Sequence, residues 1–412
     1  MGDSPFYPTG DIAMTCPAER PLTALDINDR TLGEGQPQAL AELRDQCPLG
    51  YSTRYGGFWH LLEYDAVVEA ARDYQRFTTS QGLLIPQTGA TVRIVPPELE
   101  PPEHTTYRKM LMSYFSAGAV QDYEPMVTDI VTRILGSFAG TGSADLADDF
   151  AKQIPPLVIT GVFGIQPELC EEMRILGGKF LETQILDDVD KRRDAAVALE
   201  SWIQDRIDER LGGPNIDTLA RIVNSEVDGA PIPSERILGM IQVLIMAGHE
   251  TTIHSIASML YRVATTPGVR DRLLADRSLV RRAVDESLRM DSPVMYLGRT
   301  VTQDTEFRGQ AMVKDEKLAL LYAAANRDPR RFSDPDMFDL DRDARSHLAF
   351  GSGRHRCLGE HLAVLEMEVA LNLVLDVIPD YRLAPGRDVQ WCSGGVSCGV
   401  VSFPAVFTPA PA

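Results

Sequence analysis

The stretch FGSGRHRCLG, residues 350–359, constrains this chain more than any other. One cysteine, Cys357, lies in a glycine-rich loop. The loop leads at once into an apolar pattern of helical period: Leu362, Ala363, Leu365, Met367, Val369 and Ala370. Gly351, Gly353 and Gly359 permit tight turns and close approach of backbone to a flat ligand. Cys357 therefore falls just before, or at, a helix N-terminus. Amide groups and the helix dipole there favour a thiolate over a thiol, whose ordinary pKa is about 8.5. Arg354, His355 and Arg356 add positive potential. Such a cysteine is a soft metal ligand or a reactive sulfur, not an inert core residue.

Several chemistries use a cysteine of this kind. A cysteine phosphatase needs an arginine shortly after the sulfur to grip phosphate, and Leu358 to Leu362 contain none. A structural zinc site needs further cysteines or histidines at short spacing. His355 and His361 are near, but no CxxC occurs. A haem thiolate fits best, because a single axial cysteine is all the protein must supply. A plain buried loop cysteine is the bland alternative, and the surrounding Phe, Gly and basic positions argue against it.

Phe350, Gly353, Cys357 and Gly359 stand at the spacing FxxGxxxCxG. The chain here resembles the cytochrome P450 family, and the resemblance runs from about Tyr51 to Val401. It implies a mainly α fold with a smaller β-rich subregion. Haem b would lie between the long central helix and the cysteine-loop helix, with Cys357 as axial ligand to iron. The expected organisation is a single domain over residues 1–412, with 1–37 as an extended lead-in rich in Pro, Gly and Asp.

Composition narrows the class. Net charge is −19 and hydrophobic content 44%, which fits a globular chain with a sizeable core and argues against nucleic acid as a partner. The six cysteines have no disulfide-framework spacing. The start has no signal-like apolar run, and no stretch of 18 apolar residues occurs, so a cytoplasmic protein without a membrane span is expected. No Rossmann fingerprint or phosphate loop is present, so electrons must come from another protein.

Taken in order, residues 51–63 read as a hairpin around Gly56-Gly57, and Asp65 caps a helix over 66–72. A long irregular stretch follows Phe77. By resemblance it covers the substrate, with Leu83, Leu84, Ile85 and Val95 as lining candidates. His104 and Arg108 are four apart on one helix face. The resemblance makes them partners of the haem propionates, together with Arg299 and His355.

The helix expected over Ile237 to about Thr265 carries MAGHETT. Val243, Met246 and Ala247 share a stripe with Glu250 or Thr251. Gly248, an acid and two threonines break the rules of a core stripe in mid-helix, and such violations mark functional sites. Thr251 can bond a carbonyl one turn back and open the helix locally. By resemblance this helix crosses the distal face of the haem, with Ala247 against it, and Glu250 and Thr251 hand protons to dioxygen. His249 and His254 lie five apart, a poor spacing for a shared metal.

Glu286 and Arg289 match the family's ExxR pair, with Arg342 as candidate third member. A strand over 294–302 would place Met295 and Leu297 toward substrate. Phe307-Arg308-Gly309 opens a hairpin whose second strand is expected at 318–322. Phe350 and Gly351 would pack beside the haem, with Gly359 allowing close approach, and Val396 and Ser397 would form the last substrate-contacting turn.

The resemblance thus implies a haem-thiolate monooxygenase. It would hydroxylate a small to medium hydrophobic molecule, a terpenoid, an aromatic or similar, with O2. Two electrons would pass from NAD(P)H through a ferredoxin reductase and a ferredoxin docking on the cysteine side. Alternatives are a peroxygenase, an oxidative coupling or tailoring enzyme, and a non-catalytic haem-thiolate sensor. The Glu250-Thr251 pair favours O2 activation among them.

Overall fold

The computed structural model describes residues 20–86, 90–183, 188–392 and 394–410. Most of the expected lead-in lies outside these residues. Its described part is not wholly extended: Leu22–Thr23 is a strand and Gly33–Gly35 a short 3-10 turn ahead of the helix Gln36–Gln46. The chain is mainly helical with a smaller β-rich part. It forms two compact units. One comprises residues 20–86, 285–356 and 391–399, and the other the remainder.

The first unit holds a six-stranded sheet. Its strands are β1 (Leu22–Thr23), β2 (Leu49–Ser52), β3 (Phe58–Leu61), β4 (Phe77–Thr78), β5 (Tyr296–Val301) and β6 (Lys317–Leu321), in the order β1-β2-β3-β6-β5-β4. The β2–β3 hairpin turns through Gly56 and Gly57, at φ 82° and 100°, where a side chain would be strained. A Cβ on Gly57 would also stand 2.1 Å from the Tyr51 hydroxyl. The helix behind the hairpin runs from Tyr64 to Arg72, and Glu63, not Asp65, occupies its N-cap.

β6 corrects one expectation. Phe307-Arg308-Gly309 does turn a hairpin, but between Thr305–Phe307 and Gln310–Met312. β6 pairs instead with β5, antiparallel, and with β3, parallel. The run from Lys317 to Leu321 is nearly all apolar, and a strand with both faces buried belongs inside a sheet.

Arg289 and Glu286 are fully buried in this unit and share a two-pronged ion pair at 2.8 and 2.9 Å. Arg342 reaches the same carboxylate at 3.0 Å. Arg289 also donates to the carbonyls of Asn326 and Pro335, and the Asn326 side chain accepts from the Leu348 amide at 2.6 Å. The pair thus ties the end of its helix to the stretch that precedes the cysteine loop.

The second unit is helical. Glu124–Phe138 buries Val127, Ile130, Val131, Ile134, Leu135 and Phe138, a stripe of helical period. It packs on Glu360–Val377, which is apolar on most sides and therefore central. Glu250–Thr265 and Glu103–Phe115 also pack on Glu360–Val377.

Candidate functional site

The expected long helix over 237–265 is two helices, Ser234–Ala247 and Glu250–Thr265. Gly248 ends the first and His249, at φ −95° and ψ −85°, caps the second. Gly248 is a weak helix former. A Cβ there would stand 3.2 Å from the Leu244 carbonyl oxygen. Thr251 donates its hydroxyl to the Ala247 carbonyl at 2.8 Å, so the chain backbone is bonded across the break by a side chain. The break puts Glu250 in the first turn of a helix, where its charge complements the dipole. Ala247 is exposed although Ile245 and His249 beside it are buried, while Val243, Met246, Glu250 and Thr251 are partly exposed. An apolar helix surface therefore lies open beside the acid and the hydroxyl.

His249 and His254 are buried, and burial holds both well below the ordinary imidazole value, at about 4. Arg174 and Lys152 add to the effect on His249, and His249 to that on His254. Both are neutral core imidazoles near neutral pH. Among the described residues no cluster of three or more His, Cys, Asp or Glu forms a metal site.

Cys357 is exposed and lies two residues before Gly359, which caps Glu360–Val377. No atom lies within 4 Å of a Cβ built on Gly359, so that cap presents open backbone beside the sulfur. Arg108, on Glu103–Phe115, is half-buried. Burial lowers its pKa, and the Cys357 sulfur and the Glu360 carboxyl oppose that shift. His104 is buried one turn earlier on the same helix. The second unit thus holds Cys357 with Arg108 near it, Gly359, His104 and the Val243–Thr251 segment.

The first unit holds the other candidates. Gly351 and Gly353 have φ of 70° and 72°, and the Phe350 ring lies 5.5 Å from that of His347. His355 meets the Thr79 hydroxyl at 3.3 Å. Arg299, on β5, is 1% exposed and donates to the Gly298 carbonyl, with no carboxylate beside it among the described residues. A buried guanidinium without an anion suits a ligand that brings one. Leu297 shares β5 with it, and Met295 lies just before the strand begins. The Met295 amide donates to the Val396 carbonyl at 2.8 Å, and the Gly298 amide to the Leu83 carbonyl at 2.6 Å. These bonds hold Leu83, with Leu84 next in the chain, beside β5 and Val396 beside Met295, with Ser397 bridged to Val294.

Each unit by itself has features that suit a haem: in the second an accessible sulfur at a helix start, open backbone at Gly359 and the Arg108 cation, and in the first the buried Arg299 guanidinium. Sequence reasoning missed Glu200, a buried acid on Val189–Asp208. Its signal is a carboxylate on an otherwise apolar helix face, between Leu199 and Ile203.

Comparison with known proteins agrees in kind. The family model described as Cytochrome P450 matches residues 179–378. A "Steroid C26-monooxygenase" of Mycobacterium tuberculosis is 31% identical over 359 residues, covering 84% of this chain and 94% of the relative. A "Vitamin D(3) 25-hydroxylase" of Pseudonocardia autotrophica is 30% identical over 374 residues, covering 88% and 91%. The crystal structure of CYP108D1 from Novosphingobium aromaticivorans superposes with a TM-score of 0.81 at 26% identity, covering 92% of this chain and 95% of that one.

Proposed function

The chain belongs to the cytochrome P450 family and is a haem-dependent monooxygenase; from that premise we propose that it hydroxylates a small to medium, mostly hydrocarbon molecule. The observation that carries this reading is the Thr251 hydroxyl at a helix break, beside the open apolar surface of Ala247, Met246 and Val243. Relatives named for steroid and vitamin D oxidation support a terpenoid-like substrate. The whole chain is proposed to work as one catalytic domain.

Haem, when bound, supplies oxygen activation and hydroxyl transfer. The rest is work for the chain. Cys357, exposed at the start of the Glu360–Val377 helix, would supply the sulfur that holds the iron. Thr251 holds a proton at its hydroxyl oxygen, now shared with the Ala247 carbonyl, and can turn it toward the reacting oxygen. Glu250 refills that proton from solvent. Arg108, His104, Arg299 and His355 would hold the propionates, and Phe350, Gly351 and Gly359 would border the ring. Leu83, Leu84, Met295, Leu297 and Val396, with Val243, Met246 and Ala247, orient the substrate and exclude water. Glu286, Arg289 and Arg342 fix the stretch before the cysteine loop.

Electrons are proposed to come from NAD(P)H through a ferredoxin reductase and an acidic ferredoxin, docking on Arg72, Lys109, Arg354 and Arg356. Arg354 stacks on Tyr74 at 3.4 Å and Arg72 donates to Ser352, so two of these cations are held in place. No described helix is long and apolar enough to cross a membrane. A cytoplasmic location is proposed.

The test is the absorption spectrum of reduced, carbon monoxide-treated protein. Wild type is expected to show the red-shifted Soret band of a thiolate-ligated haem, and Cys357→Ser to lack it. A wild type without the band, even after haem reconstitution, overturns the assignment.

A further inference from the structure

Glu200 stands on the buried face of Val189–Asp208, the one charged residue among Ala195, Ala196, Leu199, Trp202, Ile203 and Ile207. It is 6% exposed, and among the described residues no cation pairs with it. A carboxylate in that setting must find donors. Both come from one residue, Thr91: its amide donates to one carboxylate oxygen at 3.0 Å and its hydroxyl to the other. Thr91 lies in an irregular stretch 109 residues earlier in the chain.

The same stretch is seated again a few residues on. The Val95 amide donates to the Gly239 carbonyl on Ser234–Ala247. A Cβ on Gly239 would stand 2.0 Å from the Arg93 carbonyl oxygen, so only glycine lets the two backbones meet. Val95 and Leu99 are buried, and Glu103 pairs with Arg236 at 2.9 Å on the same helix. Residues 91–99 therefore form a strap, latched at one end by Glu200 and laid across the helix at Gly239. Gly239, Val243 and Met246 are at i, i+4 and i+7, hence on one face. The strap crosses that face about 12 Å from Ala247, at 1.5 Å per residue.

We propose that Glu200 is a positioning residue. Through Thr91 it fastens the 91–99 strap over the helix face that carries Val243 and Met246, and so sets how fast an apolar ligand reaches that face. This rests on reading that face as the substrate pocket. Thr91 and Glu200 touch neither haem nor substrate in it.

The experiment uses the holoenzyme and 4-phenylimidazole, an apolar azole whose binding to haem shifts the Soret band. Its association rate is measured by stopped flow, beside amide hydrogen exchange over 91–99 and the thermal midpoint. Losing a hydrogen bond to a buried charge is expected to raise the open fraction about tenfold. Glu200→Ala and Thr91→Val should therefore speed association about tenfold and deprotect 91–99, while Thr91→Ser stays near wild type. Gly239→Ala, which leaves the latch intact and favours the helix, should do the same by wedging the strap. If Glu200→Ala does not fold, Thr91→Val and Gly239→Ala carry the test. Unchanged rate and exchange in Thr91→Val, whatever the thermal midpoint or Gly239→Ala does, overturn the inference. A wild type with no Soret response overturns the haem assignment instead, and hydrogen exchange still decides the strap.

Discussion

The Thr251 hydroxyl spans the break at Gly248 and His249 to reach the Ala247 carbonyl at 2.8 Å. That hydrogen bond is local and exchangeable, and it keeps the hydroxyl oriented without consuming its acceptor lone pairs. In the proposed mechanism this is the hydroxyl that passes a proton on, with Glu250 as its source.

Thr251→Ala is therefore expected to lower product formation by about 100-fold, the scale of a lost proton-transfer group. Thr251→Ser should retain most of it. Peroxide released per NAD(P)H oxidised is the measurement, and it should rise in Thr251→Ala. The reduced carbon monoxide spectrum should stay that of wild type.

Glu286→Ala leaves Arg289 buried at 0% exposure with no carboxylate, and breaking a buried pair from one side costs about 3–5 kcal/mol. Arg342→Ala removes one charged hydrogen bond from a carboxylate that keeps Arg289, so about 1.5–3 kcal/mol is expected. Urea unfolding of the two variants should rank them in that order.

His249 and His254 titrate at about 4 in the folded chain and near 6.5 when unfolded. Above 6.5 both states hold the imidazoles neutral, and the folded state keeps its full stability. As pH falls from 6.5 to 4 only the unfolded chain takes up protons, so stability is lost through that window. The loss is about 3 kcal/mol per histidine at most, at 1.36 kcal/mol per unit. His254→Gln should flatten the fall in thermal midpoint between pH 6.5 and 4.

Glu366 carries the opposite slope. Burial raises its carboxyl well above the ordinary value, and its Oε2 has no hydrogen-bond partner among the described residues. The unfolded chain ionises this group above about 4.5 and the folded chain does not, so stability falls as pH rises toward the folded value. Glu366→Gln removes that dependence. Its thermal midpoint relative to wild type should climb between pH 5 and 8.

The cysteine loop and the helix from Glu360 were legible because both are local. Gly351 and Gly353 take positive φ, and the apolar period from Leu362 onward is interrupted among the buried residues only by Glu366. The break at Gly248 and His249 was only half legible, since the apolar stripe runs straight through it and nothing in the period says where the second helix starts. β6 was misassigned because its partners are fixed at long range: Leu318 pairs with Arg299 on one side and Trp59 on the other. The turn at Arg308 and Gly309 says that a hairpin forms, but not which later strand closes it. Glu200 had no motif at all; its partner lies 109 residues earlier.

The buried Glu286 carboxylate answers to guanidiniums that the ribosome delivers at different times. Arg289 arrives at once, but Asn326, Pro335 and Arg342 follow only after a further stretch of synthesis. Until Arg342 has emerged, the Glu286 carboxylate has only one of its two guanidinium partners. The ligand-bearing cysteine comes later still. Every residue of the charged clasp thus precedes Cys357 along the chain, and none of its bonds waits on the sulfur that would take the iron.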